Sequence, residues 1–453
     1  MLGRSVDKIH TAKEQAAALA SATALSLDGL VLLGGTFTNT DAAHLAEYFA
    51  AQGSACRVVG VPATVDGDMK GPLVETTLGF DTACKITSQL MGNLETDCLS
   101  AKKYVYFVRV LGREAGHMAL EVALASHPNV LILGEDCAER GLTLMDVVRE
   151  VANAVGSRGD AGKNFAVVLL GEGLPHHIPE LRCLLREIDG AFSQGASQPA
   201  AIEALLTPWS RAVLDYLPAA VRAQLFLERE SNGRAQLSQI STERIILELV
   251  NAELAARKKA GVSKAKTGNG MGFFFGYQAR SALPSNFDCA LGGALGHTAA
   301  HLVAGGHTGY LATVRGCAGG VGACAGAWRP VGVPLSSLML VPLAGGPCTA
   351  LPAQSRALTP SGSSVELGGA AAAGSSAGSG SGSKEGSAAA APLSLRPTIH
   401  SLPVDVRGPA YRAWRAQAAA WATGDLYVNP GPIQFGGAVG NAASLTLELE
   451  GKA

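Results

Sequence analysis

The sequence has little charge, few aromatic residues and no long apolar segment. Charged residues make up 16% and aromatic residues 5% of the 453 residues, and the formal net charge is −1. So small a net charge gives no general attraction for nucleic acid or for an anionic membrane, and neither partner is predicted. Any anion must therefore be bound by a local cluster of donors. No apolar run reaches about eighteen residues, so no membrane span is predicted.

The sequence also lacks clustered metal ligands and a secretory signal. Its nine cysteines occur singly, without Cys-x-x-Cys or Cys/His spacing. This pattern predicts reduced, mostly buried thiols in a cytoplasmic protein. The histidines show no convincing metal-site spacing. The first fifteen residues lack the apolar core of a signal peptide and are expected to form the edge of a folded domain.

The chain does contain short apolar runs that alternate with helical patterns. Leu27 to Leu33 is a nearly continuous apolar run, as in a strand buried on both faces. A helix is expected next, with Asn39 or Thr40 as N-cap and Gly53 after its end. Further strands are predicted at residues 56–62, 104–112, 129–135 and 165–173, and a helix at Phe80 to Cys98. The alternation predicts an open, mostly parallel sheet that binds ligands at the carboxyl ends of its strands.

The predicted organisation has five parts. They are a first α/β domain (1–177), a helical region (178–262), a second α/β domain (263–358), an insertion (359–392) and a C-terminal segment that packs back on the α/β core (393–453). In the insertion, 26 of 34 residues are Gly, Ser or Ala. That composition buries too little apolar surface to offset chain entropy, which predicts disorder. The C-terminal segment is expected to contain a helix with Trp414 and Trp421.

Several polar residues follow predicted strands, and each has a functional and a structural interpretation. Asp66 can accept a proton and Asp68 can hold Mg²⁺, but Asp-Gly-Asp is also an ordinary turn. The glycines at 34 and 35 can open a phosphate site at a helix start or can simply allow tight packing. Arg113 can bind phosphate or form a surface ion pair, and Glu172 can bind sugar hydroxyls or be a turn residue. The stretch with Tyr277, Gln278 and Arg280 can contact a sugar phosphate or be a strand-to-loop transition.

Six stretches together resemble pyrophosphate-dependent phosphofructokinase of the plant type. They include GGTFTNTDAAHLAEYFA, VPATVDGDMK, the long segment from GFDTACK to NVLILGE, IPELRCLLREI, FFGYQARSALPSNFDCALGGALGH and DLYVNPGPIQF, in the family's order. The resemblance implies a phosphofructokinase-like α/β fold. It would have two doubly wound, mostly parallel-sheet domains with a helical insertion, and would lack the N-terminal part of the first domain. It also implies reversible, Mg²⁺-dependent transfer of phosphate from pyrophosphate to fructose 6-phosphate.

The resemblance assigns roles to residues by motif. Asp66 resembles the proton acceptor, with Arg113 beside it in the Leu111-Gly112-Arg113 segment, where leucine replaces the family's methionine. The remaining sugar-phosphate positions are Thr64, Val65, Lys103, Tyr104, Glu172, Tyr277, Gln278, Ala279 and Arg280. Lys103 and Tyr104 fall where a neighbouring subunit completes the site. Gly34, Gly35, Thr36, Phe37 and Ala63 match the pyrophosphate side.

Departures from the family pattern indicate which subunit the chain resembles. Catalytic members have acids at the positions of Thr36 and Phe37, a lysine at Ala63 and a glutamate at Gln278. These changes predict a regulatory, alpha-type subunit that pairs with a catalytic beta subunit and binds fructose 6-phosphate or fructose 2,6-bisphosphate. Asp66 argues against the alpha-type prediction, because alpha subunits usually carry asparagine at this position. A catalytically active subunit using Asp66 as base, and a scaffold that binds no small molecule, therefore remain alternatives.

Overall fold

The computed structural model describes residues 8–227, 229, 235–323, 327–340 and 396–452. The predicted insertion at 359–392 lies outside these residues. The described residues up to 340 and from 398 onward belong to one compact unit.

The first five strands overlap the five predicted strand positions, and the other five had no predicted bounds. They are β1 (Gly29–Gly34), β2 (Arg57–Pro62), β3 (Val105–Val110), β4 (Val130–Ile132), β5 (Ala166–Gly171), β6 (Gly270–Phe275), β7 (Tyr310–Arg315), β8 (Arg329–Pro334), β9 (Met339–Leu340) and β10 (Thr398–Ile399).

The helices include the predicted helical region between the α/β parts. They are α1 (Ala12–Ala24), α2 (Thr36–Ala51), α3 (Phe80–Ala101), α4 (His117–Ser126), α5 (Gly134–Glu139), α6 (Leu144–Asp160), α7 (Leu174–His177), α8 (Pro179–Ser193), α9 (Pro199–Leu205), α10 (Pro208–Tyr216), α11 (Ala219–Leu225), α12 (Thr242–Lys259), α13 (Tyr277–Arg280), α14 (Asn286–Ala304), α15 (Pro409–Thr423), α16 (Gly437–Asn441) and α17 (Leu445–Gly451). The predicted helix with Trp414 and Trp421 is confirmed as α15. Short 3-10 turns include Leu237–Gln239.

The start of α2 differs from its prediction. The N-cap is Gly35, so the helix begins before Asn39 and Thr40. Asn39 acts as a donor within the first turn, from its amide nitrogen to the carbonyl oxygens of Gly34 (2.7 Å) and Gly35 (3.0 Å). Thr40 Oγ1 donates to the carbonyl of Thr36 at 2.8 Å. Both side chains thus bond backward along the chain, which propensity rules for N-caps do not reveal.

Two four-stranded sheets form the scaffold. The first has the order β1-β2-β7-β8, with β8 antiparallel to β7 and the other pairs parallel. The second has the order β4-β5-β3-β6 and is entirely parallel. The short strands β9 and β10 pair antiparallel. This confirms the prediction of a mostly parallel α/β fold.

Each sheet combines strands from distant parts of the sequence. Strands β7 and β8 join β1 and β2, while β6 joins β3. The sheets therefore do not coincide with the linear segments 1–177 and 263–358. Local patterns identify a strand but not the sheet to which it returns, because that pairing is decided by long-range packing. The domain boundaries remain a prediction.

The two central strands of the second sheet, β3 and β5, are buried on both faces. All residues of β3 and β5 are buried, and alternate residues enter different apolar clusters. Phe107 and Val168 pack with α6, α8 and α12, whereas Val108 and Val167 pack with α3 and α4. Five of the seven described cysteines are buried, which confirms the prediction for them. Within the described ranges, no helix combines the length and apolar character needed to cross a membrane.

Candidate functional site

The candidate site lies where the carboxyl ends of the two sheets approach each other. Asp66 belongs to the loop after β2 in the first sheet, and Arg113 follows β3 in the second. Arg113 Nε is 3.2 Å from Asp66 Oδ2. Asp66 is 5% exposed, whereas the Arg113 side chain is 47% exposed and reaches the cleft surface. The structure thus brings both predicted catalytic residues into direct contact.

The loop that carries Asp66 is held by hydrogen bonds and by a left-handed glycine. The Asp66 N–H donates to Thr64 Oγ1 at 3.3 Å, and Thr77 Oγ1 donates to the Thr64 carbonyl at 2.8 Å. Gly67 has φ +68°, and a Cβ there would lie 2.7 Å from the Phe80 ring. Only glycine fits both the backbone conformation and the space. The loop is therefore preorganised before any ligand binds.

Asp68 is buried two residues further along the same loop. Its Oδ1 atom has no hydrogen-bond partner among the described residues, and its Oδ2 accepts from Ser401 Oγ at 3.4 Å. Burial, together with the nearby charge of Asp66, raises the pKa of Asp68 to about 6. An approaching cation would offset both effects.

Asp68 fits Mg²⁺ only as part of an incomplete ligand set. The described residues contain no group of three or more His, Cys, Asp or Glu side chains placed to hold a metal ion. Mg²⁺ is, however, commonly bound by one or two carboxylates together with substrate phosphates and water. The buried oxygen without a hydrogen bond on Asp68 suits that mode of binding. Asp68 as a metal ligand stays a prediction.

Glu172 follows β5 at the same edge of the second sheet. It is 1% exposed, and neither carboxylate oxygen has a hydrogen-bond partner among the described residues. Burial, followed by repulsion from Asp66, raises the pKa of Glu172 to about 7. A buried carboxyl group with both oxygens unsatisfied is unfavourable unless a ligand completes it. Hydroxyl groups of a ligand would supply such donors.

The residues of α13 reach the same edge because β6 pairs in parallel with β3, Phe275 lying beside Val110. Tyr277 is 49% exposed, and the Arg280 guanidinium carbon is 4.8 Å from its ring centroid. The Gln278 side-chain oxygen accepts from the Gly276 N–H at 3.0 Å, and Ala279 is buried. Tyr277 and Arg280 thus remain accessible to a ligand, while Gln278 also supports its own turn.

Two residues predicted for the pyrophosphate side, Thr36 and Phe37, line the same cleft. The described lining residues are Thr36, Phe37, Asp66, Asp68, Arg113, Glu114, His176, Ala235, Leu237 and Ser401. They include three carboxylates, and among them Arg113 is the only lysine or arginine. Lys8 Nζ lies 4.0 Å above the Phe37 ring, at the border of the cleft. The Ala63 N–H donates to the Gly34 carbonyl at 2.9 Å, which joins the two loops that follow β1 and β2.

Sequence reasoning missed the contribution of the segment after β10. Besides the contact of Ser401 with Asp68, the Leu402 N–H donates to the Asp68 carbonyl at 2.7 Å. His117 Nε2 lies 3.0 Å from the Leu402 carbonyl oxygen. Burial and then the charge of Lys70 lower the pKa of His117 to about 4, so this imidazole is neutral. No local motif indicates these contacts, because they join residues more than 250 positions apart.

Lys103 and Tyr104 do not enter this cleft. They precede β3 and therefore lie at its amino end, whereas Leu111, Gly112 and Arg113 follow its carboxyl end. Lys103 Nζ lies 4.9 Å from the Tyr104 ring centroid. Their assignment to the site of a neighbouring subunit stays a prediction. Gly112 has φ +131°, and its carbonyl accepts from the Gly173 N–H at 2.8 Å, which joins the loops carrying Arg113 and Glu172.

Comparison with known proteins identifies the family. The family described as phosphofructokinase matches residues 1–303. The chain belongs to the phosphofructokinase family. The predicted resemblance is therefore confirmed, and the two mostly parallel sheets described above agree with a phosphofructokinase-like fold.

Relatives within the phosphofructokinase family include both subunit types. The pyrophosphate–fructose 6-phosphate 1-phosphotransferase subunit alpha of Solanum tuberosum is 42% identical over 99% of this chain, which spans 66% of that protein's length. The corresponding subunit beta of Ricinus communis is 36% identical over 98% of this chain and 71% of that protein. A crystal structure of pyrophosphate-dependent phosphofructokinase from Nitrosospira multiformis gives a TM-score of 0.45 at 16% identity, covering 72% of this chain and 63% of that one.

Proposed function

We propose that this phosphofructokinase-family chain is the regulatory, alpha-type subunit of a pyrophosphate–fructose 6-phosphate 1-phosphotransferase acting in glycolysis. The observation that carries the proposal is the charge of the cleft. Three carboxylates and Arg113 line it beside Thr36 and Phe37. Phosphoryl transfer from pyrophosphate needs cations around the donor, and these residues supply few. The identity to the potato alpha subunit supports the same assignment.

The sugar side of the cleft supports binding of a phosphorylated hexose. Arg113 can bind phosphate through its guanidinium group while Asp66 holds its orientation. Glu172 can accept hydrogen bonds from sugar hydroxyls, and Tyr277 and Arg280 border the same edge. Thr64, Val65, Leu111 and Gly112 shape the loops between these groups. The ligand is accordingly fructose 6-phosphate or the activator fructose 2,6-bisphosphate.

The base and metal positions retain part of a catalytic site. Asp66 lies where a carboxylate can accept the proton of a sugar hydroxyl. Asp68 would help to hold Mg²⁺, which when bound neutralises charge on phosphate oxygens. Because Asp66 is present, a catalytically active subunit is the second candidate function.

The proposed partner is a catalytic beta subunit in a cytoplasmic hetero-oligomer. Relatives named as alpha and as beta subunits support this pairing. A chain with a weak donor side and an intact sugar side would contribute ligand binding to the complex, while the beta subunit would contribute turnover.

Calorimetry and turnover assays test the proposal. The chain is measured alone and after co-expression with the potato beta subunit, with fructose 6-phosphate, fructose 2,6-bisphosphate and Mg-pyrophosphate. We expect sugar-phosphate binding that Arg113→Met weakens at least about tenfold, and turnover by the chain alone at least about 100-fold below that of the complex. Arg140→Met, at an exposed ion pair with Asp136 and Glu150, is the matched control.

Each contrary outcome has a definite meaning. Turnover by the chain alone at the rate of the complex, abolished by Asp66→Asn, would establish the catalytic alternative. Complex formation without heat from either sugar phosphate would establish a scaffold subunit.

A further inference from the structure

Arg109 is a buried cation below the floor of the cleft. It lies in β3 with 3% exposure, and its guanidinium carbon is 3.9 Å from the ring centroid of Phe274 in β6. An arginine inside a parallel sheet is costly unless its charge and its donors are satisfied. The groups that satisfy Arg109 therefore show what it holds in place.

Its donors hold the 3-10 turn that lines the cleft. The Nη1 atom donates to the Leu237 carbonyl at 3.1 Å, and the Nη2 atom donates to the Ser238 carbonyl at 3.3 Å. Leu237 is a lining residue of the cleft, and Tyr277 Oη lies 3.5 Å from Ser238 Oγ. The Arg109 guanidinium group thus holds the backbone of this wall. Ser238 in turn contacts Tyr277, the predicted sugar-binding residue on α13.

Its charge is shared between two carboxylates. Nε is 2.6 Å from Glu243 Oε2, whereas Nη1 is 3.9 Å from Glu172 Oε1. The close pair with Glu243 at the start of α12 takes up much of the positive charge. Glu172 receives the remaining attraction without a hydrogen bond, so both of its oxygens stay available to a ligand.

The other charged groups acting on Glu172 come from neighbouring loops. Asp66 repels its ionised form, while Arg113 and the nearby Gly112 backbone stabilise that form. Arg113 and Asp66 form an ion pair and are part of the binding cleft, so their contribution changes when a ligand binds. Arg109 lies behind the site and its contribution is fixed by the sheet.

We propose that Arg109 is a positioning residue that orients the Glu172 carboxylate and the Leu237–Ser238 wall for a phosphorylated hexose, with Glu243 setting how much of its charge reaches Glu172. The proposal rests on the proposed sugar-phosphate function. It assigns the helical region a role at the site, because Leu237, Ser238 and Glu243 all lie in that region.

The experiment measures Glu172 directly and ligand affinity separately. Carboxyl-carbon NMR of glutamate-labelled protein, assigned with Glu172→Gln, follows the ionisation of Glu172 without ligand. Calorimetry with fructose 6-phosphate across the same pH range gives the affinity. The variants are Arg109→Met, Arg109→Lys, Glu243→Gln and, as a buried control remote from the cleft, Arg158→Met, whose arginine pairs with Asp425.

We expect Arg109→Met to move the ionisation midpoint of Glu172 upward by about one pH unit, because the ion behind it is lost. Fructose 6-phosphate affinity near neutral pH should fall about tenfold and recover as the pH is raised. Arg109→Lys should restore most of the midpoint but less of the affinity, since lysine cannot hold both carbonyls. Glu243→Gln should lower the midpoint, and Arg158→Met should leave it unchanged.

A folded Arg109→Met variant with an unchanged Glu172 midpoint would overturn the proposal. If that variant does not fold, an unchanged midpoint in Glu243→Gln would overturn it instead. If the wild-type chain binds no sugar phosphate while the midpoints shift as expected, the proposed function fails but the electrostatic coupling of Arg109 to Glu172 stands.

Discussion

Asp66 and Asp68 lie one residue apart, but their surroundings differ. Asp66 has the Arg113 guanidinium group at 3.2 Å, so its carboxylate has a cation beside it. Asp68 has one buried oxygen without a hydrogen bond and a second oxygen that accepts a long contact from Ser401. The turn at Gly67 places the two carboxylates in different environments. The first suits proton transfer, whereas the second suits a cation.

The raised pKa of Asp68 predicts a pH-dependent stability difference. The ordinary pKa is 3.8, and the folded-state pKa is about 6. Between these values the unfolded chain has lost the proton while the native protein retains it, so ionisation of Asp68 lowers the free energy of unfolding as the pH rises. Asp68→Asn should therefore be more stable than wild type by on the order of 2 kcal/mol above pH 6, with the advantage lost near pH 4.

Urea unfolding at about pH 4 and about pH 7 measures this difference. Asp215→Asn serves as the control, because the Asp215 side chain is 67% exposed and should show little change at either pH. An Asp68→Asn advantage of equal size at both pH values would contradict the assignment.

At the scale of elements, α3 and α14 are joined by a buried cap. Asp288, in the first turn of α14, accepts from the backbone N–H groups of Gly79 (2.9 Å) and Thr82 (2.8 Å), and also from the Thr82 hydroxyl. It thereby satisfies the N-terminus of α3, which follows the loop carrying Asp66. Helix α14, which packs on the first sheet, thus fixes the start of α3 behind the site.

Asp288→Ala should lower the free energy of unfolding by about 2–4 kcal/mol, because two buried N–H groups lose their acceptor. The matched control is Asp146→Ala in the capping box of α6. Asp146 is 42% exposed and accepts from the Thr143 N–H and hydroxyl, which water can replace. Its loss should cost clearly less than the loss of Asp288. Equal losses in urea unfolding would show that burial of the Asp288 cap adds nothing.

Elements were predictable from the sequence where their patterns are local. The apolar runs of β3 and β5 and the helical spacing of α12 identify these elements directly. The return of β7 to β2, and of β6 to β3, was not predictable, because any apolar run can pair with either sheet. Asp66, Arg113 and Glu172 could be proposed as site residues because each follows a predicted strand. Arg109 could not be proposed from such a local pattern. Arg109 lies inside a strand, where sequence patterns favour apolar residues.

For the whole molecule, the site depends on segments that are far apart in the chain. The first sheet supplies Asp66 and Asp68, the second supplies Arg113 and Glu172, and the segment after β10 supplies Ser401. The family resemblance placed Asp66, Arg113 and Glu172 in one predicted site, because it carries long-range information that composition and periodicity do not. Ser401 lies just after the predicted insertion, outside the six stretches that resemble the family.

The pairing of β9 with β10 predicts that residues 341–397 can be replaced by a short turn. Leu340 pairs with Thr398 and Met339 with Ile399, so the two ends of the replaced segment are adjacent antiparallel strands. Such strands can be joined by a turn of about four residues. Closing a shorter loop costs less chain entropy, and the gain is about 2 kcal/mol at most for this change in length. The shortened protein should therefore unfold at the same or higher urea concentration. It should also bind fructose 6-phosphate with wild-type affinity, because Ser401 and Leu402 keep their contacts with Asp68.

The control replaces Thr398 and Ile399 with glycine and proline in the full chain, which should weaken both stability and binding by disrupting β10. A shortened protein that loses its fold would show that residues 341–397 contribute contacts of their own.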